Sequence, residues 1–188
     1  NKAGNIASET KTIGGTAYTT SYTYDRQGNQ LTVTQPDGAQ TRNTYNTAGV
    51  LEKIERKESG GVFADVVSNI DYSPMRQITV QADANNVTTT NMYDATKLYR
   101  LTRKLTQNGA STKVQDLSYL YDNIGNILQI TDESNSGAFK KLNYTYDSLN
   151  RLVNAKTIDI ITGTSTSSFA VEALVVGGGG GGGGDSQG

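Results

Sequence analysis

The chain has 188 residues, with 17 basic and 18 acidic side chains and a net charge of −1. That balance excludes the basic patch of an electrostatic nucleic-acid or membrane-surface binder. Cysteine and histidine are both absent, which removes disulfides, thiolate metal sites, the usual general base and the commonest metal ligand.

No apolar run approaches the roughly 18 residues of a membrane-spanning helix, and no signal peptide is visible. The first residues, Lys2-Ala3-Gly4-Asn5-Ile6, echo Gly125-Asn126-Ile127. They read as half of a repeat, so the chain is expected to be a fragment of a longer protein.

The landmarks in chain order are Tyr24, Tyr45, Tyr72, Tyr93, Tyr121 and Tyr146, spaced by 21 to 28 residues. A recurring period in the twenties predicts a repeat architecture of one supersecondary unit per copy. Most of the 11 tyrosines sit at or just before these landmarks, Tyr22, Tyr119 and Tyr144 among them. In Tyr22-Thr23-Tyr24-Asp25-Arg26-Gln27-Gly28-Asn29, Asp25 and Gly28 occupy the first and fourth positions of a type I turn. Asp bonds its own turn backbone and Gly accepts positive φ. A four-residue loop pairs Tyr24 with Asn29, Tyr22 with Leu31 and Thr20 with Val33. The same register pairs Tyr121 with Asn126, Tyr119 with Leu128 and Leu117 with Ile130 around Asp122 and Gly125. Around Asp147 it places Tyr144 opposite Val153 and Leu142 opposite Ala155.

Other copies vary. Asn150 replaces Gly in the Tyr146 copy, which Asn tolerates. Arg76 in the Gly slot after Tyr72 fits poorly and predicts a different loop geometry. The loop after Tyr93 reads as two residues longer. In the Tyr45 copy Glu52 falls on an apolar position, which makes that register the least secure. Turn-rich spacers (35–38, 58–61, 107–109 and 133–137) read as return turns between antiparallel strands. The fold class is therefore all-β: serial antiparallel hairpins in an open, curved sheet, over residues 1–156. Residues 157–176 read as a linker with one strand at 169–176. The glycine-rich tail, 177–188, cannot bury enough apolar surface to offset its ordering entropy and reads as disordered.

The Tyr-Asp-x-x-Gly-Asn pattern resembles the YD repeat of the RHS family. It is carried most clearly by Tyr119-Leu120-Tyr121-Asp122-Asn123-Ile124-Gly125-Asn126-Ile127 and by Tyr99-Arg100-Leu101-Thr102-Arg103-Lys104-Leu105-Thr106. The resemblance covers roughly residues 1–156, and both stretches look like those of RHS proteins related to the B and C components of insecticidal toxin complexes. It implies a spiralling β-shell around a hollow interior that encloses a toxic C-terminal domain, in a secreted or cell-surface protein. The implied partner is the remainder of the parent chain, shell and enclosed domain. The family's conserved segment with an aspartyl autoprotease is not recognisable, and residues 171–184 resemble glycine-rich stretches of phage tail-fibre-like proteins.

Candidate sites read mainly as structure. Asp25, Asp122 and Asp147 each supply one carboxylate, whereas calcium takes six to eight oxygens; they read as turn caps and not as metal ligands. Asp65 with Asp71, and Asp132 with Glu133, are the candidate paired acids of a glycosidase. The tyrosine rows read as packing, with glycan stacking as the alternative. Arg100, Arg103 and Lys104 read as a solvated strand face. The structural motif is thus Tyr22, Tyr24, Asp25, Gly28, Tyr119, Tyr121, Asp122, Gly125, Tyr144, Tyr146 and Asp147, with no cofactor and no catalytic residue. The leading function is a non-enzymatic wall that encloses a toxin or effector; the alternative is a surface adhesion module that binds carbohydrate or a partner protein.

Overall fold

The structure is a computed structural model, and it describes residues 4–135, 138–161 and 170–173. The chain divides into two units, Asn1–Val114 and Gln115–Gly188. The first contains β1 (Ser8–Ile13), β2 (Thr16–Tyr24), β3 (Gln30–Thr34), β4 (Gln40–Tyr45), β5 (Leu51–Lys57), β6 (Ala64–Tyr72), β7 (Ile78–Asp83), β8 (Thr88–Asp94) and β9 (Arg100–Gln107). The second is made from β10 (Lys113–Tyr121), β11 (Ile127–Asp132), β12 (Ala138–Tyr146), β13 (Leu152–Ile161) and β14 (Ala170–Ala173). In each unit every strand pairs antiparallel with the next, so the architecture is all-β and built from serial hairpins. The one helical piece among the described residues is a 3-10 turn at Ala95–Lys97. β14 lies within the run read as a strand, and β13 runs through 157–161, residues read as the start of the linker; residues 162–168 and the glycine-rich tail lie outside the described residues.

The hairpins form where expected, but their register differs from the four-residue-loop expectation. Tyr22 lies opposite Val33 instead of Leu31, Tyr119 opposite Ile130 instead of Leu128, and Tyr144 opposite Ala155 instead of Val153. Leu117 faces Asp132 and Leu142 faces Thr157. Tyr24 and Tyr121 pair with Gln30 and Ile127, one residue beyond Asn29 and Asn126. Two insertions explain the shift. The turn holds five residues, closed by the Asp25 N–H donating to the Asn29 carbonyl at 2.9 Å and the Asp122 N–H to Asn126 at 2.9 Å. A β-bulge then adds one more residue on the return strand. Because faces alternate with a period of two, a two-residue shift leaves each side chain on its expected face.

The bulge recurs after every landmark. Pairing jumps a residue between Thr23 and Tyr24, Thr44 and Tyr45, Asp71 and Tyr72, Met92 and Tyr93, Leu120 and Tyr121, and Thr145 and Tyr146. The bulged residues are Leu31, Glu52, Thr79, Thr102, Leu128 and Val153. Glu52 therefore marks no irregular register: Tyr45 pairs with Leu51 in the common frame, and the bulge places Glu52 where no cross-strand partner is required. After Tyr93 the loop is two residues longer, as expected, and carries Leu98 and Tyr99 at positive φ.

Arg76 also departs from expectation. It adopts φ 60°, the conformation that Gly28, Gly49, Gly125 and Asn150 take in sister turns. Its N–H donates to the Ser73 carbonyl at 2.9 Å, as Gly28 does to Asp25. The turn frame, fixed by Ser73 and its neighbouring strands, overrides the preference of the side chain.

Contacts between elements follow chain order, so each unit is a single layer of sheet. Among the described residues only Ala39, Val67 and Ile70 are buried hydrophobics, while Val62, Leu98, Leu149, Ile124 and Met75 are strongly exposed. Among the described residues, buried charge is confined to Glu55 and Asp116.

Arg76→Gly is expected to stabilise its turn. Relief of left-handed strain, about 1–2 kcal/mol, exceeds the entropy cost of glycine, about 0.5–1 kcal/mol. Native-state amide exchange at residues 73–77 should slow; unchanged or faster exchange there would show that Arg76 is unstrained.

Candidate functional site: the tyrosine–turn junction

Each repeat ends in a turn whose first residue folds its side chain back onto the backbone. Asp25 Oδ1 accepts the N–H groups of Gln27 and Asn29 at 2.8 and 2.9 Å, and Oδ2 accepts the Asn29 side-chain amide at 2.8 Å. Asp122 accepts from Ile124, Gly125 and Asn126 in the same way, with the Asn126 amide on Oδ2 at 2.8 Å. Asp147 accepts from Leu149 and Arg151, and its Oδ2 takes the Arg151 guanidinium at 2.7 Å. Asn46 and Ser73 perform the role with a neutral oxygen. Gly28 and Gly125 sit at φ 90° and 107°, a region that any residue with a Cβ enters only at a cost.

These bonds set the charge state of the turn. The Asn29 amide, with backbone N–H groups, holds the Asp25 carboxyl below its usual range. Burial pushes Asp122 up, but the Asn126 amide and the N–H groups of Asn126, Gly125 and Ile124 outweigh it and the net shift is downward. The Arg151 N–H and guanidinium lower Asp147.

The landmark tyrosines then tie one hairpin to the next. Tyr45 Oη donates to the Gln30 carbonyl at 3.0 Å, Tyr72 to Leu51 at 2.7 Å, Tyr93 to Ile78 at 3.1 Å and Tyr146 to Ile127 at 2.9 Å. The accepting residues are the strand partners of the preceding landmarks Tyr24, Tyr45, Tyr72 and Tyr121. The cause is local. After the bulge, the ladder to the next strand begins only at Thr32, Ile54, Val80 and Gln129. The carbonyls of Gln30, Leu51, Ile78 and Ile127 lie beyond its end, half-buried, and need a donor from elsewhere. The tyrosine is long enough to supply one. Asn43 and Asn91, two residues before their tyrosines, donate a second bond to Gln30 and Ile78, each at 3.0 Å. These asparagines carry a signal in the sequence, Asn-x-Tyr, outside the Tyr-Asp-x-x-Gly-Asn pattern.

The remaining expected motif residues have other surroundings. Tyr22 Oη donates to Glu9 at 2.9 Å. The rings of Tyr119 and Tyr121 stack with centroids 6.5 Å apart. Tyr144 lies on β12 opposite Ala155.

The other candidates do not assemble into chemistry. Asp65 and Asp71 lie six residues apart on β6, about 20 Å along the strand, well beyond the separation of a glycosidase pair. Asp65 instead pairs with Lys53 at 2.8 Å. Asp132 Oδ1 accepts both the N–H and the hydroxyl of Ser134. Arg103 and Lys104, as consecutive strand residues, point to opposite faces. No cluster of three carboxylates with metal-ligand geometry occurs among the described residues. The strongest charge constellation is structural: buried Glu55 accepts Arg42 at 2.7 and 2.9 Å, and the Arg42 guanidinium lies 4.0 Å over the Phe63 ring. Arg42 hydrogen bonding lowers Glu55, and Glu55 raises Arg42 in turn.

Comparison with known proteins places this geometry. An RHS repeat family model matches residues 1–49. Two toxin subunits of Yersinia entomophaga, YenC2 and YenC1, are 33% and 31% identical over 150 residues, covering 73% of this chain. A crystal structure of TcdB2-TccC3-Cdc42 matches with TM-score 0.69 at 28% identity over 76% of the chain. A Photorhabdus luminescens Tc holotoxin pore matches with TM-score 0.68, also at 28% identity. The chain spans 15% of the length of the two toxin subunits and 7% of those solved chains.

Asp122 gives a pH test. Its folded carboxyl titrates below the unfolded value of about 3.9, so its contribution is full above that value and is lost as pH falls through the lowered folded one. The protection of amides 124–126, corrected for the intrinsic exchange rate at each pH, should fall on acidification in the native chain and lose that pH dependence in Asp122→Asn. An identical acid response in both would remove Asp122 as the titrating group.

Proposed function

We propose that this chain, which belongs to the RHS-repeat family, is a non-enzymatic wall segment of a larger extracellular protein whose sheet encloses a toxin or effector domain. The observation that carries the reading is the repeated junction, in which the same bulge and the same tyrosine-to-carbonyl bond join hairpin to hairpin. Such a unit extends by addition, because each copy contacts only its neighbours and leaves both faces of a single layer available. A single layer with three buried apolar side chains among its described residues does not supply the second layer that a sheet requires. The rest of the parent chain is the natural source of that cover. The relatives are toxin subunits, which supports an extracellular setting and does not favour the adhesion reading. The absence of histidine and cysteine supports a role without catalysis.

The test is protection. When the intact parent protein is exposed to protease, the enclosed domain is expected to survive conditions that degrade the same domain expressed alone. Equal digestion rates in the two settings would contradict enclosure.

A further inference from the structure

We propose that Asn108 is a spontaneous deamidation site, and that its isoaspartyl product opens the return turn at residues 108–112. Asn108-Gly109 is the single Asn-Gly pair in the sequence, and both residues are exposed. Two structural demands put the pair there. The first turn position needs a side-chain acceptor, and Asn108 Oδ1 takes the N–H groups of Ala110 and Thr112 at 3.1 and 3.0 Å. The second position favours glycine, because a Cβ on Gly109 would stand 3.1 Å from the Asn86 Cβ of the neighbouring return turn, which would have to give way by a few tenths of an ångström. The labile dipeptide is thus a by-product of the turn frame and of turn-to-turn packing.

The reacting atoms are available. The Gly109 N–H donates to no group among the described residues, and the Asn108 Nδ2 is likewise uncommitted. The comparable Asp37-Gly38 pair differs, since the Gly38 N–H is held by the Gln35 carbonyl at 2.9 Å. Asn46, the first residue of a sister turn, is followed by Thr47, whose branched side chain obstructs attack by the Thr47 nitrogen. In the reaction the deprotonated Gly109 nitrogen attacks the Asn108 Cγ. The C–Nδ2 bond breaks, the nitrogen leaves as ammonia, and a five-membered succinimide closes. Water then opens either carbonyl, giving aspartate or isoaspartate, so the net change is one water in and one ammonia out.

The two products differ in consequence. Aspartate is the residue found at this position in the sister turns that begin at Asp25, Asp83, Asp122 and Asp147, so that product keeps the frame. Isoaspartate inserts an extra backbone carbon between residues 108 and 109. It displaces the bonds from the Asn108 N–H to Thr112 at 3.0 Å and from Ser111 to Asn108 at 2.8 Å.

The experiment incubates the full chain in mildly alkaline buffer, with and without denaturant. It then combines peptide mapping, enzymatic methylation of isoaspartyl groups and amide exchange. Native Asn108 should convert several-fold faster than Asn46 and accumulate isoaspartate. The isoaspartyl fraction should lose protection at 108–112, and Asn108→Asp should retain it. Conversion of Asn108 only in denaturant would overturn the proposal, as would an isoaspartyl chain that keeps full protection at the turn.

Discussion

The hydrogen bond from Tyr45, Tyr72, Tyr93 and Tyr146 to the carbonyl at the preceding bulge is the constraint on which the hairpin junctions depend. A bulge bends the return strand and delays the next ladder by two or three residues, so that strands splay at the turn end. Splaying alone would leave the half-buried carbonyls of Leu51 and Ile127 without a donor, and those of Gln30 and Ile78 with only an asparagine amide. The tyrosine hydroxyl, carried one hairpin further on, reaches across the gap and satisfies them. Bulge and tyrosine therefore work together at these four junctions, which gives a physical reason for both to recur there.

The same economy appears in the turns. Asp, Asn and Ser all serve at the first position because the requirement is an oxygen acceptor within reach of two N–H groups, and not a charge. At Asp25, Asp122 and Asp147 those bonds hold the carboxyl below its usual range. Gly, Asn and Arg all serve at the fourth position because the closing bonds of the frame hold φ positive whatever the side chain. A sheet made from such units carries little core of its own, and the charge network of Arg42, Lys53, Glu55 and Asp65 links β4, β5 and β6 within the layer.

Much of this was legible in the sequence. The hairpins, their order and their faces followed from the spacing of Tyr, Asp and Gly, because turn chemistry is local and side-chain alternation has a fixed period. The register was not legible. A bulge leaves no compositional mark: Leu31, Glu52, Thr79 and Val153 share no property that would reveal them. The five-residue loop also hides behind the Asp-x-x-Gly signature, which a four-residue turn shares. Arg76 misled for the converse reason, since intrinsic preference was overruled by the frame around it. The tyrosine hydroxyl bonds were hidden because their acceptors are backbone atoms some 15 to 21 residues upstream, and no pattern of side chains encodes a carbonyl.

The most direct measurement is amide exchange across a single junction after removal of one hydroxyl. Tyr72→Phe keeps the ring and deletes only the bond to the Leu51 carbonyl. Faster opening is expected at the turn end of β5 and β6, worth about 0.5–1.5 kcal/mol, with distant strands unaffected. Tyr18→Phe, outside the repeat frame, should change nothing at that junction. Unaltered exchange at the junction in Tyr72→Phe would contradict the claim that the hydroxyl joins one hairpin to the next.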